Sequence, residues 1–510
     1  MDRAEPMKKN LKFAMAGELL LAAVKLLSRR VFVVLMGKEY LGLNGLFTDV
    51  LSMLSLAELG FGVSVTYSLY RPVACGDREM IKSLMGLYRR FYRGVGLEVF
   101  GLGLCLIPFL GFFVKEMPGD IPHIPFFYVL NLANTSISYF FSYKSTLLFV
   151  YQKKYIETGI RAAVSLAAAG AQMAVLYLTG NYLYYLYLAI AATVVQNLAV
   201  TVKANRMFPY LREKNICPLP GEVLKEIGRN VRAMVLHRIG AVAVFNTDNL
   251  LISRFAGLAA AGLYSNYMMI RGFLNIVVNA VFDAITPALG NLTATETEEG
   301  QRKAFRCLFF FSAWLFGWMS ICLFCLYDPF INIWLGEGYL LSKPAVFLIV
   351  LNFYVNGMRN PVNNTKGVLG LFWDDRYKSI AEAVCNLVVS VVLARRLGIE
   401  GVVAGTLLST LAFPFWCEPF VLCRRGLHMP VGPYFVRYGM HLTVAAAAGI
   451  PTWILCGPTG GGAAGFLLKI FICAVIPNLI FLCLYRRTKE FVFFKDGVKR
   501  MVQRGGKFHI

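Results

Sequence analysis

No part of this 510-residue chain is polar for long enough to build a soluble domain. Charged residues make up 16% of it, and the longest hydrophilic stretch runs over 203–232. The connections on one side of the apolar segments are short, which leaves no room for a catalytic domain there. The chain has no GxxxxGK[ST] pattern, so no phosphate-cradling loop of an ATP motor is encoded. It has no HExxH and no clustered Cys/His set, so no metal site and no cofactor are expected. Its five histidines, His123, His237, His428, His441 and His509, are scattered, and surface or internally satisfied roles account for them. Asp374 and Asp375 resemble the acidic pair of a sugar transferase. They lie in a short loop with Arg376 and Lys378, so they are not read as catalytic, and no enzyme is expected. The first apolar run is too long to be a cleavable signal, and Glu18, Lys25, Arg29 and Arg30 interrupt it.

What the chain does have is apolar length. Hydrophobic residues are 57% of the sequence and mean hydropathy is +0.59. Apolar segments run over 11–36, 43–70, 94–114, 122–143, 158–179, 181–202, 233–253, 261–289, 307–327, 344–370, 379–394, 401–423, 438–456 and 465–485. About 20 such residues cross the hydrocarbon as a helix. Lys and Arg fall mainly in the N-tail, the even-numbered connections and the C-tail. The odd-numbered connections hold only Lys38, Lys115, Arg254, Lys343, Arg395 and Arg396. Cytoplasmic loops carry the Lys/Arg excess, so both termini are expected in the cytoplasm. The net charge of +22 then lies beside anionic lipid headgroups, and no nucleic acid is implied. The twelve cysteines lie mainly in apolar segments without paired extracellular spacing. The CxxC of Cys322 and Cys325 sits inside the ninth segment and is read as small packing residues rather than redox or metal chemistry.

The polar stretch 204–232 divides the chain into six segments over 1–203 and eight over 233–510. An offset of 220 residues places Lys9-Asn10-Leu11-Lys12 over Arg229-Asn230-Val231-Arg232, Gly37 over Gly257, and Gly42-Leu43 over Gly262-Leu263. This predicts a parallel repeat of two six-helix lobes, 1–203 and 233–424. The remaining 425–510 holds two appended spans and a basic tail.

Ionisable groups at membrane depth are costly and mark cavities or partners. In the tenth segment Asn352, Asn356, Arg359, Asn363 and Lys366 share one helix face, and Pro361 predicts a kink. Lys366 has two readings, facing a cavity or reaching the inner interface. The eighth segment repeats the theme with Arg271, Asn275, Asn279 and Asp283; twelve residues, about 18 Å of rise, separate Arg271 from Asp283, so they do not pair. The first segment places Glu18, Lys25 and Arg29 on one face. Arg238 and Asp248 belong to the seventh. Together these stripes predict a wet, cationic cavity between the lobes, suited to an anionic substrate such as a diphosphate. The candidate substrate contacts are Lys25, Arg29, Arg271, Arg359, Asn356 and Asn363. Asp248 and Asp283 are candidates for ion coupling, and for Asp248 a structural hydrogen bond is an equal reading.

Three stretches carry a family resemblance: GKEYLGLNGLFTDVLSMLSLAELGFGVSVTYSLYRPVACGD at 37–77, TDNLLISRFAGLAAAGLYSNYMMIRGFLNIVVNAVFDAITPALGNL at 247–292, and RYKSIAEAVCNLVVSVVLARRLGIEGVVAGTLLST at 376–410. They resemble the Wzx-type polysaccharide flippases of the multidrug/oligosaccharidyl-lipid/polysaccharide (MOP) superfamily. The resemblance implies an all-α polytopic membrane protein of about fourteen helices, two pseudo-symmetric MATE-like six-helix lobes and a further pair. It also implies alternating access for an undecaprenyl-diphosphate-linked oligosaccharide in the bacterial cytoplasmic membrane, with Arg29 at the family's basic position. Capsule, exopolysaccharide or wall polysaccharide synthesis is the implied setting. A polysaccharide polymerase and glycosyltransferases follow as partners by pathway logic. The rival readings are a multidrug cation antiporter of the same fold and a membrane polymerase or glycosyltransferase.

Overall fold

Apolar runs of this length satisfy their backbone groups internally as helices, the economical solution in lipid. The computed structural model describes residues 4–54, 58, 61–114, 121–151, 153–213, 217–225, 227–229, 231, 247–295, 297–371, 374–375 and 377–492, and among these the regular structure is all helical. The chain divides into two compact units, Met1–Gly262 and Leu263–Ile510.

The first unit begins with α1 (Ala4–Leu54), whose residue Gly37 is non-helical at φ 84°, ψ 177°. That conformation is open to glycine alone, so α1 is two segments joined at a tight turn. Next come α2 (Phe61–Cys75), α3 (Arg78–Cys105), α4 (Ile124–Val150), α5 (Lys154–Thr179), α6 (Tyr182–Met207) and the short α7 (Asp248–Phe255). The segment expected over 43–70 is thus carried by two elements, the end of α1 and α2. Asp77 caps α3 by accepting from the Met80 amide, and Asn181 caps α6 through the Leu183 amide. α1 packs on α5, α4 on both α3 and α6. Only 11% of the residues in the most apolar windows of α5 and α6 are buried. Such long exposed apolar faces belong in lipid.

Across the boundary runs α8 (Leu258–Thr295). The second unit continues with α9 (Glu298–Leu335), α10 (Lys343–Val368), α11 (Lys378–Leu397), α12 (Ile399–Ala412), α13 (Pro414–Val421), α14 (Gly432–Cys456) and α15 (Gly462–Tyr485). α10 runs as one helix through Pro361. The segment expected over 401–423 is broken at Phe413 (φ −120°, ψ −72°), ahead of Pro414, which has no amide to continue the ladder, and ends in a π-turn over Leu422–Gly426. A small-xxx-small pair sets the α11–α12 contact. A Cβ on Gly401 would lie 2.4 Å from the Leu393 carbonyl, and one on Gly405 2.2 Å from Ser390 Oγ. Six of the described helical stretches, Lys154–Thr179, Tyr182–Met207, Glu298–Leu335, Ile399–Gly426, Gly432–Thr459 and Gly462–Tyr485, are long and apolar enough to cross a membrane. The protein is a multi-pass membrane protein.

Candidate functional site: a hydroxyl-lined vestibule and a buried charge network

A cavity of about 800 Å³ lies wholly within the first unit, within the ordinary range of ligand sites. Its walls are α2, α3, α4 and the start of α5. Of its fifteen lining residues ten bear hydroxyls, including Tyr67, Tyr70, Tyr88, Tyr92 and Thr146. Gly62 makes the space: a Cβ there would stand 2.7 Å from Tyr92 Oη and 2.9 Å from Tyr88 Oη. Behind it runs a hydrogen-bond chain. Thr146 Oγ1 donates to Tyr88 Oη (3.2 Å), Tyr88 Oη to Tyr92 Oη (3.3 Å), and Tyr92 Oη to the Glu58 carboxylate. Ser142 Oγ, also on the wall, has no hydrogen-bond partner among the described residues. Glu157 and Lys154 complete the lining. Lys154 also sits 5.6 Å from the Phe149 ring centroid. The cavity reaches the connection between α4 and α5, where Phe149, Lys154 and Glu157 line it.

In the same unit Lys25 is exposed and Arg29, one turn on, is half-buried, with Tyr185 of α6 as a neighbour. The side chain of Glu18 lies outside the described residues. Asp49 Oδ2 accepts from Asn249 Nδ2 at 2.6 Å, and Asp248 opens α7 beside this pair. Arg238 falls outside the described residues.

The second unit places the remaining candidates in different surroundings. Arg271 is half-buried, 3.7 Å from Met268 Sδ, and no carboxylate stands within 4 Å among the described residues. Asn275 is half-buried and Asn279 exposed; the Asp283 side chain lies outside the described residues.

Arg359, expected to face an anionic substrate, has its fork filled by the chain itself. Its Nε and Nη2 donate to the two oxygens of Glu418 at 3.0 and 2.7 Å, and Nη1 donates to Asn356 Oδ1 at 2.9 Å. Glu382 stands 3.5 Å from Nη1. Lys378 Nζ reaches Glu418 at 2.6 Å and Asp375 at 2.9 Å, and Lys366 pairs with Asp375. Three cations, Lys366, Arg359 and Lys378, therefore face three carboxylates, Asp375, Glu382 and Glu418, and their formal charges cancel. Asn352 of the same stripe donates to the Val403 carbonyl at 2.9 Å, while Asn363 is exposed. The stripe shares a helix face but serves three separate environments. Lys366 is 4% exposed and ion-paired with Asp375.

Among known proteins, residues 146–344 match the family model of polysaccharide biosynthesis proteins. A comparison by sequence with curated proteins finds no match. Among solved structures the chain is similar to the lipid II flippase MurJ in an inward closed conformation, at 13% identity and TM-score 0.64, over 93% of this chain and 99% of that one. It is similar to an inward-facing multidrug resistance MATE family transporter of the MOP superfamily, at 15% identity and TM-score 0.64, over 79% and 96%. A MOP superfamily transporter from Pyrococcus furiosus, described as having a binding pocket of reverse polarity, matches at 15% identity and TM-score 0.53, over 83% and 97%. At such identities these three show the fold. The family model thus matches the middle of the chain, and the chain as a whole shares the fold of these transporters.

Proposed function

We propose that the protein is a flippase for an undecaprenyl-diphosphate-linked oligosaccharide, working by alternating access in the bacterial cytoplasmic membrane with both termini inside. The observation that carries this reading is the vestibule. Ten hydroxyl side chains, five of them tyrosines, with two carboxylates beside them, match the polyol surface of a sugar, which needs many weak donors and acceptors and a flat apolar face. The Lys/Arg distribution supports a cytoplasmic vestibule, the side where a cytoplasmically assembled glycan would be loaded. For the diphosphate, the proposed contacts are Lys25 and Arg29 on α1. Arg271, which no described carboxylate neutralises, offers the same chemistry in the second unit. Arg359 is left out because Glu418 already occupies its fork. Asp248 stays a proposal for ion coupling. A polymerase and glycosyltransferases remain the proposed partners.

A second reading has its own observation. Glu58 and Glu157 in a tyrosine-rich pocket also suit an organic cation, as a multidrug antiporter requires. One experiment separates the two. Purified protein in liposomes carrying undecaprenyl-diphosphate-linked oligosaccharide is followed for sugar exposure on the far leaflet, with Glu58→Gln and Arg29→Ala alongside. Flipping that both variants impair supports the flippase; transport of cationic dyes without flipping replaces it with the antiporter.

A further inference from the structure

The CxxC of the ninth segment does not stand alone. Cys325 on α9, Cys456 at the end of α14 and Cys473 on α15 bring their Sγ atoms within 4.8 Å of one another, and all three are buried. Cys456 and Cys473 are 3.9 Å apart. Cys322, one turn before Cys325, has its Sγ 3.7 Å from the Cys473 carbonyl. Three of the chain's twelve cysteines thus meet where three helices cross.

The spacing discriminates between the uses of such a cluster. A disulfide needs sulfurs about 2.05 Å apart. Four thiolates about 2.3 Å from one zinc ion form a tetrahedron whose edges are close to 3.8 Å. The Cys456–Cys473 separation is that of a tetrahedral edge. Packing alone would require volume, not the convergence of sulfurs from three helices. The surroundings are apolar, with Ile321, Ala448 and Phe481 in the same core. There an isolated thiolate is costly, and a divalent cation offsets that cost.

We propose that Cys325, Cys456 and Cys473 form a three-thiolate site for a divalent d¹⁰ metal ion of the zinc class that ties α14 and α15 to α9. Zn²⁺ entering three thiols releases three protons and forms three Zn–S bonds, leaving one net negative charge. Lys469, one turn before Cys473 on the same face of α15, supplies the balancing positive charge. A monovalent copper ion would leave a second charge unbalanced at membrane depth, which favours the divalent ion. The role is structural: every ligand lies on a helix, and none borders the vestibule.

The test uses the full chain, stripped of metal in detergent and titrated with Cd²⁺ while the sulfur-to-metal charge-transfer absorption is followed. One Cd²⁺ per chain is expected, displaceable by Zn²⁺. Cys473→Ser and Cys456→Ala should each weaken binding about 10–100-fold or more, with Cys385→Ser on α11 as unaffected control. Monodisperse elution of the variants separates lost binding from lost folding. Absence of charge-transfer absorption in the native chain, absorption that survives Cys473→Ser, or a native mass lower by two hydrogens from a Cys456–Cys473 disulfide would each overturn the proposal.

Discussion

Gly42 lies against Leu258 so closely that a Cβ on the glycine would sit 1.9 Å from the Leu258 carbonyl oxygen. The converse contact exists 220 residues on: a Cβ on Gly262 would sit 2.4 Å from the Lys38 carbonyl oxygen. The offset of 220 exchanges the members of one contact with those of the other, as a local two-fold relation between the two turns requires. Gly37 and Gly257, also related by that offset, both have positive φ, 84° and 94°.

Because backbone blocks the added methyl, Gly42→Ala and Gly262→Ala must each push two chain segments apart, at about 1–3 kcal/mol. Gly101→Ala, on an exposed face of α3 with nothing within 4 Å, should be tolerated. Thermal unfolding in detergent, followed by tryptophan fluorescence, measures all three. Equal stability of Gly42→Ala and Gly101→Ala would disprove the close approach.

Breaking the Arg359–Glu418 pair leaves a buried carboxylate, for which about 3–5 kcal/mol is the usual cost. Arg359→Ala should fall near the lower end, since Lys378 still reaches Glu418 at 2.6 Å. The double variant Arg359→Met/Glu418→Met keeps Lys366 and Lys378 balanced by Asp375 and Glu382, so most of the lost stability should return. Additive losses in a double-mutant cycle would show that the pair is not coupled.

Asp375 lies in the loop between α10 and α11. Burial acts to raise its pKa, but Lys378 and Lys366 outweigh burial and hold it below the usual carboxylate range. A depressed folded value contributes stability above the unfolded pKa of about 3.9, and that stability is lost as pH falls through the folded value. Asp375→Asn should therefore be less stable than the native chain at pH 7 and should approach it in acid. Parallel melting-temperature profiles from neutral to acid pH would contradict the assignment.

In the vestibule, Glu58→Gln weakens the charged end of the hydroxyl chain and Tyr92→Phe removes its donor. A hydrogen bond to a charged group contributes about 1.5–3 kcal/mol, so each change should lower the affinity for a soluble oligosaccharide tenfold or more while leaving the fold intact. Titration calorimetry of purified protein reads this directly, and unchanged binding in both variants would move the sugar elsewhere.

The sequence made some of this legible and hid the rest for physical reasons. Helical periodicity showed that Arg359 and Lys366 share a face. It could not show that Glu418, 59 residues away on a different helix, would fill the guanidinium fork. The vestibule was missed because Ser, Thr and Tyr carry no spacing signal and its walls come from four elements. The clustering of Tyr67, Tyr70, Tyr88 and Tyr92 around one basic connection was the available clue. The break in the twelfth segment was readable in Pro414, but the apolar run on both sides concealed it. The glycine offset was legible because a close backbone approach tolerates a single residue type.

All fifteen residues around the vestibule belong to one compact unit. A guest held there alone meets the same walls however the remainder of the chain is arranged. A ligand with equal affinity for two conformations shifts neither. On the proposed function, the vestibule would set which cargo is admitted, but occupancy there could not by itself drive a transport stroke. That impulse would have to come from contacts the cargo makes outside the vestibule, so the proposed function makes recognition and propulsion separable properties.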